Sequence, residues 1–558
     1  MIKKLYLPLV ALFVLALSSC SKMGELSSDY FTTDPEVLEA IGGKVPVTIT
    51  GKFPEKYFKK NATVEVTPVI RWNGGEAKGQ PAMFQGEKVQ GNDQTIAYKA
   101  GGTYTMKASF DYVPEMAQSE LYLDFKIRKG SKTYTIPSVK IADGVIATSE
   151  LPTVNSANAA YAEDAFQRII QQAQEAQIMF LIQQANLRSS ELKAENLKEF
   201  HKKVVEVAGD TKNYKLNNIE IFAYASPDGG EELNSGLAER RQNNTQKYMS
   251  KQLKKGKIET ALDTKYTAQD WEGFQELVAK SNIQDKDLIL RVLSMYSDPE
   301  QRENEIKNIS SVYKTLADEV LPQLRRARLT ANYDLIGRSD EEIIAAYDTD
   351  PSVLTVDELL YCATLTEDNA RKEAIYKTTA KLHNDDFRAL NNLGLMAYAE
   401  GDLATAEKYF KAAAQKDANA AEVNTNLALI ELSKNNVAAA ENYLSKSTGA
   451  NTADEALGNL YIKKGEYAKA VAAFGDTKTN SAALAQILNK DYNKAKNTLN
   501  AVKNPDAYTH YLMAVVGART NNANLVKSSM AKVAKKDAKL AAAAASDREF
   551  AKYANEIK

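Results

Sequence analysis

The sequence predicts a multidomain chain made of an all-β domain, a central α/β sandwich and a C-terminal all-α repeat solenoid, in that order. Three observations carry this reading. Apolar residues alternate with period two from Lys44 onward, a strand, Gly turn and helix follow one another between Ile219 and Leu253, and Leu359, Leu393 and Leu427 recur at equal intervals. At 558 residues the chain far exceeds what one hydrophobic core supports, so three or four domains are expected.

The first residues predict where the chain resides. Lys3 and Lys4 precede an apolar run from Leu5 to Leu17, which is shorter than the roughly 20 residues of a bilayer-crossing helix. Leu17, Ser18, Ser19 and Cys20 then form a lipobox, and the segment resembles the export signals of bacterial lipoproteins. That resemblance implies removal of residues 1–19 and acylation of Cys20, with acyl chains holding the protein to a membrane. Ser21 in place of Asp after the Cys implies the outer membrane, and the lack of an acidic cluster there implies a periplasm-facing orientation. Residues 20–43 read as a lipidated tether. Only Cys362 remains as a thiol, so no disulfide within the chain is expected.

Between 44 and 150 the alternation of Val45, Val47 and Ile49, of Val64 and Val66, and of Leu121, Leu123, Phe125 and Ile127 predicts short antiparallel strands. Gly and Pro punctuate them at WNGGEAKGQP, AGGTY and YVPE. This spacing predicts a β-sandwich of immunoglobulin-like type, a spacer or docking module in which Trp72 serves packing.

The central segment, 160–336, begins with an apolar run at 176–186 and an amphipathic helix at 191–207. The strand before AYASPDG and the helix NSGLAERRQ then place Asn234, Leu237 and Arg241 on one helix face, with Leu237 turned to the sheet. These residues resemble the OmpA-like family that grips peptidoglycan, whose helix motif is matched with Ala238 in place of Ser. The resemblance implies that Arg241 meets the carboxylate of the diaminopimelate in the stem peptide and that Asn234 orders the turn. At the position where the family carries Asp this chain has Ser226, with Asp228 two residues on as the substitute. A plainer reading pairs Arg241 with a neighbouring Glu such as Glu239. A helical insert is expected at 269–318, followed by a strand opened by the dipeptide Arg325–Arg326.

From 340 to 558 the recurrence at Leu393 is accompanied by Gly394, Gly401, Ala406, Phe410 and Ala413, and later by Leu457, Gly458, Tyr461, Gly465, Ala470 and Phe474. The pattern resembles the tetratricopeptide repeat and predicts five to six helix hairpins, closed by the helix around Ala541–Ala545. Asn392 and Asn426, each just before a repeat Leu, fall on the inner helices, placed to hydrogen-bond the backbone of a protein partner or to serve hairpin packing.

Lys and Arg number 71 against 72 Asp and Glu, a balance that gives no nucleic-acid footprint. The chain contains no HExxH, GxSxG or phosphate-cradling motif, and His201, His383 and His510 fall in separate segments, so neither catalysis nor a cofactor or metal is expected. The basic run Lys251, Lys254, Lys255 and Lys257 reads as a solvated helix end. The function expected is a non-enzymatic outer-membrane lipoprotein that holds the cell wall through its OmpA-like domain and protein partners through its repeats. The alternative is a scaffold subunit of an outer-membrane assembly, secretion or fimbrial complex whose OmpA-like domain no longer binds peptidoglycan.

Overall fold

A computed structural model describes residues 23–151, 157–283, 286–308 and 310–557. The lipobox and Cys20 lie outside the described residues. The chain forms two compact units, Met1–Asp164 with Thr366–Lys558, and Ala165–Leu365.

Among the described residues of the first unit nine strands follow in order: β1 (Phe31–Asp34), β2 (Lys44–Phe53), β3 (Ala62–Trp72), β4 (Gly75–Lys78), β5 (Ala82–Gly86), β6 (Gln94–Ile96), β7 (Gly102–Asp111), β8 (Ser119–Lys129) and β9 (Lys132–Gly144). One sheet runs β1-β2-β7 and the other β6-β5-β3-β8-β9, with β4 folded back on β3. Alternate residues of each strand point inward, as the period-two pattern requires, and Val45, Val47, Ile49, Val64, Val66, Leu121, Leu123 and Phe125 share one core. The region expected to be a free tether contributes buried residues to this core. Met23, Leu26, Phe31, Leu38 and Ala40 are buried, and β1 pairs with β2. Their irregular spacing hid them, because no single period links them.

The same unit carries an array of helix hairpins: Arg388–Ala399 with Leu403–Ala414, Ala421–Ser433 with Val437–Leu444, Ala453–Lys463 with Tyr467–Phe474, Asn480–Leu488 with Tyr492–Asn500, and Ala507–Arg519 with Ala523–Lys536. Small residues set the hairpin approach. A Cβ on Gly394 would lie 2.5 Å from the ring of Phe410, and one on Gly458 would lie 2.5 Å from Phe474. Gly401 and Gly465 turn each hairpin with φ of +81° and +73°. The last hairpin is tied to the sandwich by a partly buried ion cluster, in which Arg519 meets Glu39 at 2.7 Å and Glu549 at 2.5 Å, while the Thr148 hydroxyl donates to Glu549 at 2.7 Å. Burial alone would lower the pKa of Arg519, but the two carboxylates outweigh it and raise it.

The second unit is built on a four-stranded mixed sheet, β10 (Ile169–Met179), β11 (Tyr214–Tyr224), β12 (Ala261–Thr267) and β13 (Arg326–Ile336), in the order β10-β13-β11-β12. β11 and β12 are parallel, and β13 is antiparallel to both of its neighbours. The helices Glu195–Gly209 and Glu231–Gly256 cover the sheet through Leu197, Phe200, Val204, Met249 and Leu253. The first strand lies earlier than the apolar run suggested. It ends at Met179, and the stretch from Phe180 to Asn186 leaves the sheet as a loop. Helices between Trp271 and Leu324 form the insert, with their own core of Phe274, Val278, Ile289, Leu293, Leu316 and Leu324. Asp270 caps the first of them through the amide of Gly273 and pairs with Arg326 at 3.0 Å, fixing the insert to the start of β13.

Among the described residues no helix is long and apolar enough to cross a membrane.

Candidate functional site

The strand β11 ends at Tyr224, and the turn through Ser226, Pro227, Asp228, Gly229 and Gly230 delivers the chain into the helix Glu231–Gly256. Asn234 closes this turn, its amide donating to the carbonyls of Ser226 (3.0 Å) and Gly229 (2.8 Å). The turn-ordering place implied for Asn234 is thus occupied by backbone.

Arg241, one helix turn and more beyond, is completely buried. Its guanidinium donates to three backbone carbonyls, Gln184 at 3.0 Å, Tyr224 at 2.7 Å and Leu181 at 3.1 Å, and lies over the ring of Phe180 at 5.0 Å. Burial, reinforced by the nearby charge of Arg325, pulls its pKa down to about 10, with Asp228 opposing. The loop after β10 is wrapped around this guanidinium through its backbone carbonyls, while the side chains of Leu181 and Ile182 are exposed. Arg241 therefore neither pairs with Glu239 nor presents its N–H groups to solvent; it organises the loop.

Ser226 and Asp228 are also engaged. The Ser226 hydroxyl donates to the Asp228 carboxylate, and Arg325 donates to Ser226 Oγ at 3.2 Å and to Asp228 at 3.1 Å. The residue that sequence reasoning did not assign here is Arg325, whose signal was the Arg325–Arg326 dipeptide. The Asp228 carboxylate is thus neutralised by a guanidinium of the same domain. Pro227 and Asp228 meet Trp271, Phe274, Tyr313 and Leu316 of the insert around a cavity of about 20 Å³, room for about one water. The four residues expected to hold a ligand are brought together, and all four are satisfied within the protein.

The inner helices of the repeat array make a second constellation. Asn391 and Asn392 on Arg388–Ala399 and Asn426 on Ala421–Ser433 are buried, yet their carboxamides are fully used. What they hold is the chain's own segment Ala157–Asp164, which has no helix or strand of its own. Asn426 Oδ1 accepts from the Ala160 amide at 2.6 Å, and its Nδ2 donates to the Ala160 carbonyl at 2.9 Å. Asn391 donates to the same carbonyl at 2.9 Å. Asn392 repeats the two-sided grip on Ala162, accepting from its amide at 3.0 Å and donating to its carbonyl at 2.9 Å. Glu455, on the next inner helix, accepts from the Asn158 amide at 3.1 Å and from its side chain at 2.8 Å. Arg388 closes the row on the carbonyl of Asp164 at 2.9 Å.

The asparagines expected to meet a partner's backbone thus meet a backbone, that of the same chain. Contacts fall on Asn158, Ala160 and Ala162, the period of two in which an extended chain presents its groups. The methyl groups of Ala160 and Ala162 are buried, whereas Asn158 and Glu163 face solvent. Asn391, adjacent to Asn392, was not singled out from sequence, although the repeated Asn at the inner-helix position pointed to it. Among the described residues no group of His, Cys, Asp and Glu is arranged to hold a metal ion. Cys362 is buried in the helix Val356–Thr364.

No known family's sequence profile matches the chain, and no curated protein does. Among solved structures, a tetratricopeptide repeat protein from Parabacteroides merdae is 14% identical and covers 36% of this chain and 85% of its own, with a TM-score of 0.28. The Cut9–Hcn1 hetero-tetramer of the APC/C is 12% identical over 59% of this chain and 77% of its own, with a TM-score of 0.31. Yeast Tom70 is 12% identical over 57% and 75%, with a TM-score of 0.25. Similarity at these scores carries no conclusion about this chain.

Proposed function

We propose that the chain is a non-catalytic scaffold subunit of a cell-envelope assembly, anchored to the outer membrane through acylated Cys20, facing the periplasm and engaging protein partners through its repeat array. In this reading the OmpA-like domain has become a structural module that no longer grips peptidoglycan. The observation that carries it is the state of Arg241: the guanidinium that would meet the stem-peptide carboxylate is buried and bound to three backbone carbonyls. Exposing it would leave those carbonyls unpartnered in a dry interior, at about 1–3 kcal/mol for each. The Arg325–Asp228 pair supports the same reading, since it removes the negative charge that the ammonium end of diaminopimelate needs.

Co-sedimentation of the soluble chain, from residue 21 onward, with purified sacculi tests the proposal. Wild-type protein is expected to stay in the supernatant. Pelleting that is abolished by Asp228→Asn or by Arg241→Lys, in variants with an unchanged circular dichroism spectrum, would instead establish the cell-wall tether.

A further inference from the structure

The groove of the repeat array is not vacant: it holds Ala157–Asp164, and that segment describes what the groove accepts. We infer that this strap is a resident pseudo-ligand, and that the groove takes in its place an extended peptide segment of a partner protein with small side chains at two alternate positions. This deepens the scaffold reading and rests on it.

Two features define the ligand. Recognition is by backbone, since Asn426 and Asn392 each clamp both the N–H and the C=O of one residue and ask nothing of its side chain. Such a grip is independent of sequence except where side chains meet the wall. At Ala160 and Ala162 the exposure is 0% and 1%, so anything much larger than a methyl group there has to displace the asparagine ladder. Asn158 and Glu163 are exposed, and of the two the Asn158 side chain is held by Glu455 at 2.8 Å. Specificity therefore reads small at the two alternate positions 160 and 162 of a strand-like chain, with the half-buried Tyr161 packed between them.

The asparagines also brace one another, Asn391 donating to Asn392 Oδ1 at 3.2 Å and Asn426 to Asn391 Oδ1 at 2.9 Å. The ladder is thus prearranged across two repeats and does not depend on a particular occupant for its geometry. The strap, for its part, has no hydrogen-bonded secondary structure to lose on release. Because strap and groove share one chain, the strap competes at an effective concentration of about a millimolar. A groove that is free for only one tenth of the time binds an outside peptide about tenfold more weakly than an open one. The strap therefore sets a threshold that a partner passes only by contributing further contacts or by being tethered nearby.

The test uses the soluble full chain and a synthetic peptide of residues 157–164. In Ala160→Trp/Ala162→Trp protein, which cannot seat its own strap, the peptide is expected to bind at least about tenfold more tightly than to wild type. Adding Asn392→Ala and Asn426→Ala should abolish that binding, and a peptide with Trp at the two small positions should not bind at all. Equal affinity for wild type and the strap variant, or equal binding of the Trp peptide, overturns the inference. Should the strap variant not fold, wild type decides the matter: amide exchange at Ala160 and Ala162 should accelerate with millimolar matched peptide and not with the Trp peptide. Unchanged exchange overturns it. Either result leaves the sacculus experiment untouched, so failure of the pseudo-ligand and failure of the scaffold reading are told apart.

Discussion

Asn426 and Ala160 stand 266 positions apart and exchange two hydrogen bonds, amide to Oδ1 and Nδ2 to carbonyl. Asn426→Ala removes both and leaves the buried Ala160 N–H without a partner, a loss of about 2 kcal/mol. Asn391 still holds the Ala160 carbonyl, so the strap should loosen at this point and not detach. Urea unfolding gives the magnitude, and amide exchange at Ala160 gives the location. Unchanged protection of that amide would contradict the geometry.

Arg241 is expected to be a stability residue. Arg241→Met should cost about 3 kcal/mol or more, because the Leu181, Gln184 and Tyr224 carbonyls lose their donor together. Arg241→Lys should recover only part of this, since an ammonium is a compact donor and cannot span the fork. A melting temperature within a degree or so of wild type for both variants would show that the loop does not depend on the guanidinium.

Gly394 and Phe410 make a third case. The Cβ of Gly394→Ala would fall 2.5 Å from the Phe410 ring, so the substitution overpacks the hairpin and should cost about 1–3 kcal/mol. Combining it with Phe410→Leu should cost less than the sum of the two single changes, because the smaller side chain vacates the clash. Strict additivity in a double-mutant cycle would refute the contact.

His201 supplies a pH dependence. Burial lowers its pKa in the folded protein, where Nε2 lies 3.0 Å from the Tyr248 hydroxyl. A folded-state value below the unfolded value of about 6.5 means that the unfolded chain takes up the proton first. Its contribution to stability is therefore constant above about pH 6.5 and is lost as the pH falls below that. The drop in melting temperature between about pH 7.5 and 5.5 should be smaller in His201→Gln than in wild type. An equal or larger drop in the variant would assign the dependence to other groups.

What could be read from the sequence divides by the range of the interactions. Period-two alternation located β2, β3 and β8, and the 34-residue recurrence located the hairpins, because both are local patterns written by one face of one element. The constellation of Asn234, Ser226, Asp228 and Arg241 was also legible as a cluster. Its internal satisfaction was not, since Arg325 arrives from the residue just before β13, almost a hundred positions later. The burial of Met23, Leu26, Phe31, Leu38 and Ala40 and the seating of Ala157–Asp164 escaped for a related reason. Neither stretch has a period of its own, and each acquires its conformation from residues far away in the chain. Asn392 and Asn426 were read as groups that meet a backbone; which backbone they meet is a matter of tertiary topology.

That topology bears on how the protein is made. The strap precedes the asparagines that hold it by 230 to 266 positions, and the ion cluster of Glu39 with Arg519 spans 480. During synthesis the early β-strands can pair at once, but the strap has nothing to seat in until the repeats have been made, and the sandwich lacks its ionic lock until nearly the last hairpin is complete. Non-local contacts of this length close late. A nascent chain stopped in the repeats would therefore carry a finished β-domain followed by an unclaimed segment, and a chain cut before Arg519 would keep its strands while losing the lock that fastens its two ends.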